Sequence, residues 1–189
     1  MSSTVQQPDP IDLGAVFEVL SGDLNSSFAP LQDAMENPDE EGNYSFDGTV
    51  ARTYINVAFA CIASMTTCMR QWAMARLPHA IDERRFIGEG DMTPLEKAVR
   101  LGFGLLDYVL NVDTQWYANE QWWTNMHRAI QIKYRLASPT SAADLEISAA
   151  ELMTMVDAEA GFRLRIAAYL EEPTPAHQYQ LTGAQLTPD

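Results

Sequence analysis

The stretch that decides the fold is residues 47–77, DGTVARTYINVAFACIASMTTCMRQWAMARL. Asp47 is a suitable helix N-cap, and Pro78 disfavours helical geometry at Leu77. We therefore predict one helix from Asp47 to about Leu77, which is far longer than an average helix. Apolar residues recur along it at alternating intervals of four and three, the seam of one helix packed on another: Ala51, Ile55, Ala58, Ile62, Met65, Met69 and Trp72.

A second stripe lies beside this seam and consists mostly of small residues: Tyr54, Val57, Cys61, Ser64 and Cys68. Small side chains let a neighbouring helix approach closely. We therefore expect this helix to pack on two sides and to occupy the centre of a bundle. About 30 helical residues span about 45 Å, so the bundle should be elongated.

Two capping boxes mark the starts of further helices. Thr93-Pro94-Leu95-Glu96 predicts a helix that runs to about Val112, and Ser148-x-x-Glu151 predicts a last helix that runs to about Leu170. Gly102 and Gly104 lie inside the first of these helices, where each costs about 1 kcal/mol relative to alanine. They suggest close backbone contact, or they are merely tolerated.

Apolar spacing predicts another helix over about 114–136. Its predicted buried face combines aromatic and polar residues: Trp116, Glu120, Trp123, His127, Ile130 and Tyr134. Near the N-terminus, Asp9 and Pro10 are a good helix start, and Gly22 is a good stop. We predict a short helix between them that ends at about Leu20.

The fold class that follows is all-α. We predict an elongated bundle of about four main helices plus a short N-terminal helix, with extended N- and C-terminal arms. Residues 1–172 should form a single helical domain, divided into a polar arm (1–9), an acidic segment (10–46) and the bundle core (47–172). Residues 173–189 contain three prolines and should form an extended C-terminal arm.

Charge is distributed unevenly along the chain. The net charge is −14, and residues 1–51 contain ten acidic residues and no Lys or Arg. A strongly negative segment repels phosphates, so we expect no sequence-specific nucleic-acid binding. Simple solubility explains such a charge as well as a basic partner does.

Cys61 and Cys68 are too far apart along a helix to form a disulfide with each other. No disulfide framework or signal peptide is evident, so we expect a cytoplasmic location, or a virion if the protein is viral. The uncharged run Thr53 to Met69 is short and interrupted by polar residues, which argues against a membrane span.

Motifs for catalysis or metal binding are missing from the sequence. None of the three histidines completes a Glu-x-x-His pair, and no Cys-x-x-Cys, phosphate loop or Gly-x-Ser-x-Gly elbow occurs. We therefore expect no enzyme, no cofactor and no metal. A second alternative, after the acidic adaptor described below, is a helical enzyme or small-ligand binder that uses Glu120 and His127, which lie among tryptophans.

The remaining functions work through surfaces. We expect a non-enzymatic structural or interaction subunit, either a homo-oligomer or part of a hetero-assembly. Head-to-tail connector subunits of tailed phages have a similar general architecture, although no motif identifies that family. An acidic inhibitor or adaptor that binds a basic protein is the alternative. The candidate docking residues are Tyr179, Leu181, Leu186, Asp39, Glu40, Glu41, Arg84 and Arg85.

Overall fold

A computed structural model describes residues 11–36, 46–77, 80–112 and 121–170 of the chain. These residues form a bundle of six α-helices and one 3-10 turn, with no strand among them, so the predicted all-α class is confirmed. The elements in chain order are α1 (Leu13–Glu36), α2 (Gly48–Met74), α3 (Arg84–Ile87), α4 (Pro94–Leu110), α5 (Gln121–Ala137), a 3-10 turn (Ala142–Leu145) and α6 (Ala149–Leu170).

Helix α2 lies at the centre of the bundle, as its two stripes predicted. It packs against α1, α4, α5 and α6. Asp47 caps its start by accepting a hydrogen bond of 2.6 Å from the Thr49 amide. Six of the seven predicted seam residues are buried: Ala51, Ile55, Ala58, Ile62, Met65 and Met69.

Helix α1 is longer than the sequence predicted. It continues through Gly22, which was expected to stop it, and through Pro30, and it ends at Glu36. An interior proline costs about 3 kcal/mol, yet Leu24 and Leu31 on the far side of Gly22 are buried in the main core. The predicted helix end at Leu20 is therefore wrong, because burial of these leucines outweighs the local breaking signals.

Helix α4 begins at the predicted capping box. The Thr93 hydroxyl accepts from the Glu96 amide at 3.2 Å, and the Glu96 carboxylate accepts from the Thr93 amide at 2.7 Å. Of the two interpretations of the glycines, close contact holds at Gly104, whereas Gly102 lies at an ordinary packing distance from the backbone of α2. A β-carbon at Gly102 would lie 3.6 Å from the Thr66 Cα of α2, and one at Gly104 would lie 2.8 Å from the Phe86 Cβ of α3.

Helix α5 buries only part of the predicted face: Ile130 is buried as predicted, while Trp116 and Glu120 lie outside the described residues. Its buried residues are Trp122, Met126, Ala129 and Ile130. Tyr134 is 36% exposed, and the His127 side chain is 48% exposed. The prediction was wrong for these two residues because Trp122 anchors the helix in a rotated position. Its indole N–H donates to the Ala158 carbonyl of α6 at 2.9 Å.

Helix α6 begins at the second predicted capping box, where the Ser148 hydroxyl accepts from the Glu151 amide at 3.2 Å. It packs mainly on α5 and also contacts α1 and α2. Its apolar residues Leu152, Met155, Phe162 and Ile166 are buried in the main core. Helix α6 therefore closes the core from the side of α5.

Candidate functional site

Most of the candidate docking residues lie outside the described residues. These are Tyr179, Leu181, Leu186, Asp39, Glu40 and Glu41, and Glu120 of the alternative site lies outside as well. Arg84 and Arg85 lie in the short helix α3 and are exposed. The Arg85 guanidinium carbon is 4.8 Å from the centre of the Tyr108 ring, so this side chain packs on an aromatic face. Arg84 is therefore the member of the pair with its head group directed to solvent.

A buried carboxylate and a histidine meet between α4 and α5. Nδ1 of His127 forms a short contact with Oε1 of Glu96, which is only 3% exposed. A carboxylate accepts only, so Nδ1 carries the proton of this bond. The Gln131 amide nitrogen lies 2.8 Å from Nε2 of His127. Both ring nitrogens of His127 are therefore in contact with a polar side chain.

The environment of Glu96 keeps its carboxylate ionised. Burial acts to raise its pKa, but the hydrogen bonds from Thr93 and the contact with His127 outweigh burial and lower the pKa below its usual value. One carboxylate thus caps α4 and also orients the imidazole of α5. Carboxylate–imidazole pairs of this kind orient general bases in enzymes, and they also serve as plain structural links.

Sequence reasoning identified half of this pair. The alternative hypothesis of an enzyme or ligand binder combined His127 with Glu120 of its own helix. The structure pairs His127 with Glu96, which the sequence suggested only as a cap. The two partners are 31 positions apart in the chain. The capping box shows that Glu96 caps α4, but no nearby residue in the sequence indicates that it also contacts His127. Only the packing of α4 against α5 reveals this contact.

A second polar cluster lies where α1, α2 and α6 meet; Glu159 and Tyr54 in it are buried, Arg163 is partly exposed and Asn25 is exposed. Arg163 Nε lies 2.5 Å from Oε1 of Glu159, and Arg163 Nη1 donates to the Asn25 side-chain oxygen at 2.9 Å. Burial raises the pKa of Glu159, and the charge of Arg163 opposes that rise. Burial also raises the pKa of Tyr54, which hydrogen-bonds Glu159. The cluster pairs the buried Glu159 carboxylate with the Arg163 guanidinium and the Tyr54 hydroxyl, and it was not anticipated from the sequence.

Thiol and metal chemistry receive little support within the part of the chain that is described. Burial raises the pKa of both Cys61 and Cys68, which are free thiols, and so makes them poor nucleophiles. No three His, Cys, Asp or Glu side chains among the described residues are placed to share a metal ion. In the same residues, no helix is long and apolar enough to cross a membrane.

The most distinctive surface is a groove along the solvent-facing side of α2. We call it the α2 groove; its cavity volume is about 480 Å³. Helix α2 forms its floor with four exposed residues, Asn56, Ala60, Ala63 and Thr67, and with the buried Phe59 and Thr66. Its walls come from the start of α4 and the end of α5: Pro94, Leu95, Ala98, Lys133 and Tyr134. Lys133 is the only charged residue in the described lining, and its ammonium lies 4.9 Å from the centre of the Tyr134 ring.

A separate cavity of about 570 Å³ lies at one end of the bundle, and we call it the end cavity. Its lining is mainly apolar and comes from four helices and the residues before α1; it includes Leu13, Trp72, Leu106, Leu110, Ile166 and Leu170. Asp12 and Arg76 are its charged lining residues. The Arg76 guanidinium carbon lies 3.8 Å from the centre of the Trp72 ring. His127 lines neither this cavity nor the α2 groove.

Comparisons with known proteins return no matching family model, no matching curated protein and no matching solved structure. The features that bear on function are therefore the Glu96–His127 pair, the α2 groove and the end cavity.

Proposed function

We propose that this chain is a non-enzymatic interaction subunit of a larger protein assembly, and that it packs against a second copy of itself through the α2 groove. The observation that carries the proposal is the uncharged, small-residue floor of that groove on a chain with a net charge of −14. Solvated helix faces are usually charged, whereas faces that receive another helix are depleted of charge. A connector subunit of a virion would be one form of such an assembly.

The spacing of the floor residues favours a helix as the occupant. Asn56, Ala60, Ala63 and Thr67 follow intervals of four, three and four, which is the pattern of a helix-packing seam. Small side chains allow two helix axes to approach to about 8 Å. The exposed ring of Tyr134 stands at the rim, where an aromatic side chain supplies contact area to a partner.

The same spacing favours a second copy over an unrelated helix. Because the intervals read the same from either end, two copies of α2 that cross antiparallel place equivalent floors face to face. Ala60 of one copy then meets Ala63 of the other, and Asn56 meets Thr67, where two polar side chains can hydrogen-bond. Such self-complementarity is the requirement of a two-fold interface.

In this proposal the Glu96–His127 pair is a link between helices and not a reaction centre. Nε2 is the nitrogen that would take a proton from a substrate, and Gln131 already occupies it. His127 also lines neither of the two large concavities. The geometry therefore supports a role in holding α5 on α4 better than a role in acid–base catalysis.

The experiment that tests the proposal introduces one charge into the groove floor. Ala60→Glu would place an unpaired carboxylate, and its two-fold copy, in the proposed interface, at a cost of several kcal/mol. Ala160→Glu is the matched control, because Ala160 is also an exposed alanine within a helix but lies on α6. Solution mass measured by light scattering reports the outcome. We expect Ala60→Glu to separate the copies and Ala160→Glu to leave them together.

A further inference from the structure

We infer that the end cavity is a docking site for the C-terminal segment of the same chain, residues 173–189. The end cavity and the α2 groove share no lining residue, so this inference stands apart from the proposed function. In this inference, residues 173–189 cover the apolar surface at the end of the bundle.

The position of the end of α6 is the first argument. Leu170 is the last residue of α6, and it lines the end cavity together with Tyr169 and Ile166. The Tyr169 hydroxyl is bound to the Asp107 carboxylate of α4, which holds this end of α6 against its neighbour. Helix α6 therefore ends at the cavity, and a short connection gives the segment that follows it a high effective concentration there.

The composition of the segment is the second argument. Residues 173–188 contain no Asp, Glu, Lys or Arg, and their large apolar side chains are Tyr179, Leu181 and Leu186. The helices α2, α4 and α6 all end near the cavity, because Trp72, Leu110 and Leu170 line it. Helix C-termini carry partial negative charge, so a segment without acidic side chains over residues 173–188 is better tolerated there than an acidic one.

The size and lining of the cavity are the third argument. A volume of about 570 Å³ lies within the range of concavities that bury a group of several side chains. Asp12 and Arg76 are charged groups of its lining, and they can pair with backbone groups of an extended segment. By contrast, residues 1–10, which join the cavity at Ile11, offer only Met1 and Val5 as large apolar side chains.

Photo-crosslinking in the full-length protein tests this inference. Tyr179 is replaced by p-benzoylphenylalanine, the protein is irradiated at low concentration, and the products are mapped by mass spectrometry. We expect a crosslink within one chain to peptides that carry Trp72, Leu106 or Leu110. The same replacement at Gln185 is the control for the photochemistry, since a polar neighbour of Leu186 is not expected to enter the cavity. A crosslink between two chains, a crosslink elsewhere in the bundle or no crosslink would overturn the inference.

A dye-binding measurement provides a second, independent readout. The double variant Tyr179→Ser/Leu181→Ser changes only residues that follow the last described helix in sequence, so circular dichroism should show unchanged helix content. If the segment covers the cavity, this variant should bind the apolar dye ANS with severalfold higher fluorescence than the unmodified chain. The variant Gln178→Ser/Gln180→Ser is the control and should leave the fluorescence unchanged. Equal dye fluorescence in the double variant and the unmodified chain would contradict the docking.

Discussion

The Glu96 carboxylate holds the imidazole of His127, and this one contact joins the first turn of α4 to the middle of α5. The same carboxylate accepts from the Thr93 amide and so completes the cap of α4. A single buried side chain therefore serves both a local and a tertiary role. Loss of its charge should weaken the helix start and the helix–helix contact together.

The charge of Glu96 should make stability depend on pH in the acid range. Its pKa is lower in the folded chain than its ordinary value of 4.5. A lowered pKa contributes stability that is fully present above pH 4.5 and is lost as the pH falls through the folded-state value. We expect Glu96→Gln to cost roughly 2 kcal/mol at neutral pH and to flatten the loss below pH 4.5.

Urea unfolding at about pH 7 and about pH 3.5 measures both effects. The informative quantity is the difference in unfolding free energy between the unmodified chain and the variant at each pH, because contributions of other acidic groups cancel in it. That difference should shrink at the lower pH. A difference that stays constant across the two pH values would show that the Glu96 charge does not stabilise the fold.

Because α1 continues through Gly22, a substitution at this position should stabilise the protein, whereas most substitutions destabilise proteins. A β-carbon at this position would meet no atom within 4 Å, and the residue lies inside a helix. Gly22→Ala should therefore raise the unfolding free energy by about 0.5–1 kcal/mol, because alanine favours the helix and restricts the unfolded chain. Thermal unfolding followed by circular dichroism measures the change. If the helix instead ended at Gly22 with a left-handed residue, the alanine would destabilise the protein.

Replacement of Gly161 by alanine should instead lower the unfolding free energy. A β-carbon at this position would overlap the indole ring of Trp122, whose N–H is bound to the Ala158 carbonyl. Gly161→Ala must push α5 away from α6 or break that hydrogen bond, so we expect a loss of roughly 3 kcal/mol. Gly22→Ala is the control in the same assay, since both variants replace a helical glycine by alanine. Equal stability of the two variants would argue against the close packing of Trp122 on α6.

Local signals explain which parts of the fold the sequence predicted. Asp47, Thr93 and Ser148 were identified as helix starts because a cap needs only side chains within three positions of the helix end. The central place of α2 followed from its two apolar stripes, since periodicity reports directly on burial. These features depend on sequence neighbours, and the structure confirms them.

Tertiary contacts explain what the sequence missed. Gly22 and Pro30 are helix breakers in isolation, and only the burial of Leu24 and Leu31 keeps α1 continuous across them. Trp122 and Trp123 are adjacent and both apolar, so the sequence alone cannot say which one enters the core. The partner of His127 lies on another helix and could not be found by spacing within α5. In each case the local sequence allows more than one arrangement, and the contacts between helices determine which one forms.

The most direct test of the proposed interaction subunit is the solution mass of the unmodified chain and of Ala60→Glu, measured by light scattering behind a sizing column. One chain has a mass of 21.1 kDa. We expect the unmodified protein and the control Ala160→Glu to show the mass of two chains or an even multiple of it, at low and at high salt, because the groove floor is uncharged. Ala60→Glu should show the mass of one chain, or half the mass of the unmodified assembly. A single-chain mass for the unmodified protein, or an unchanged mass for Ala60→Glu, would contradict self-association through the α2 groove.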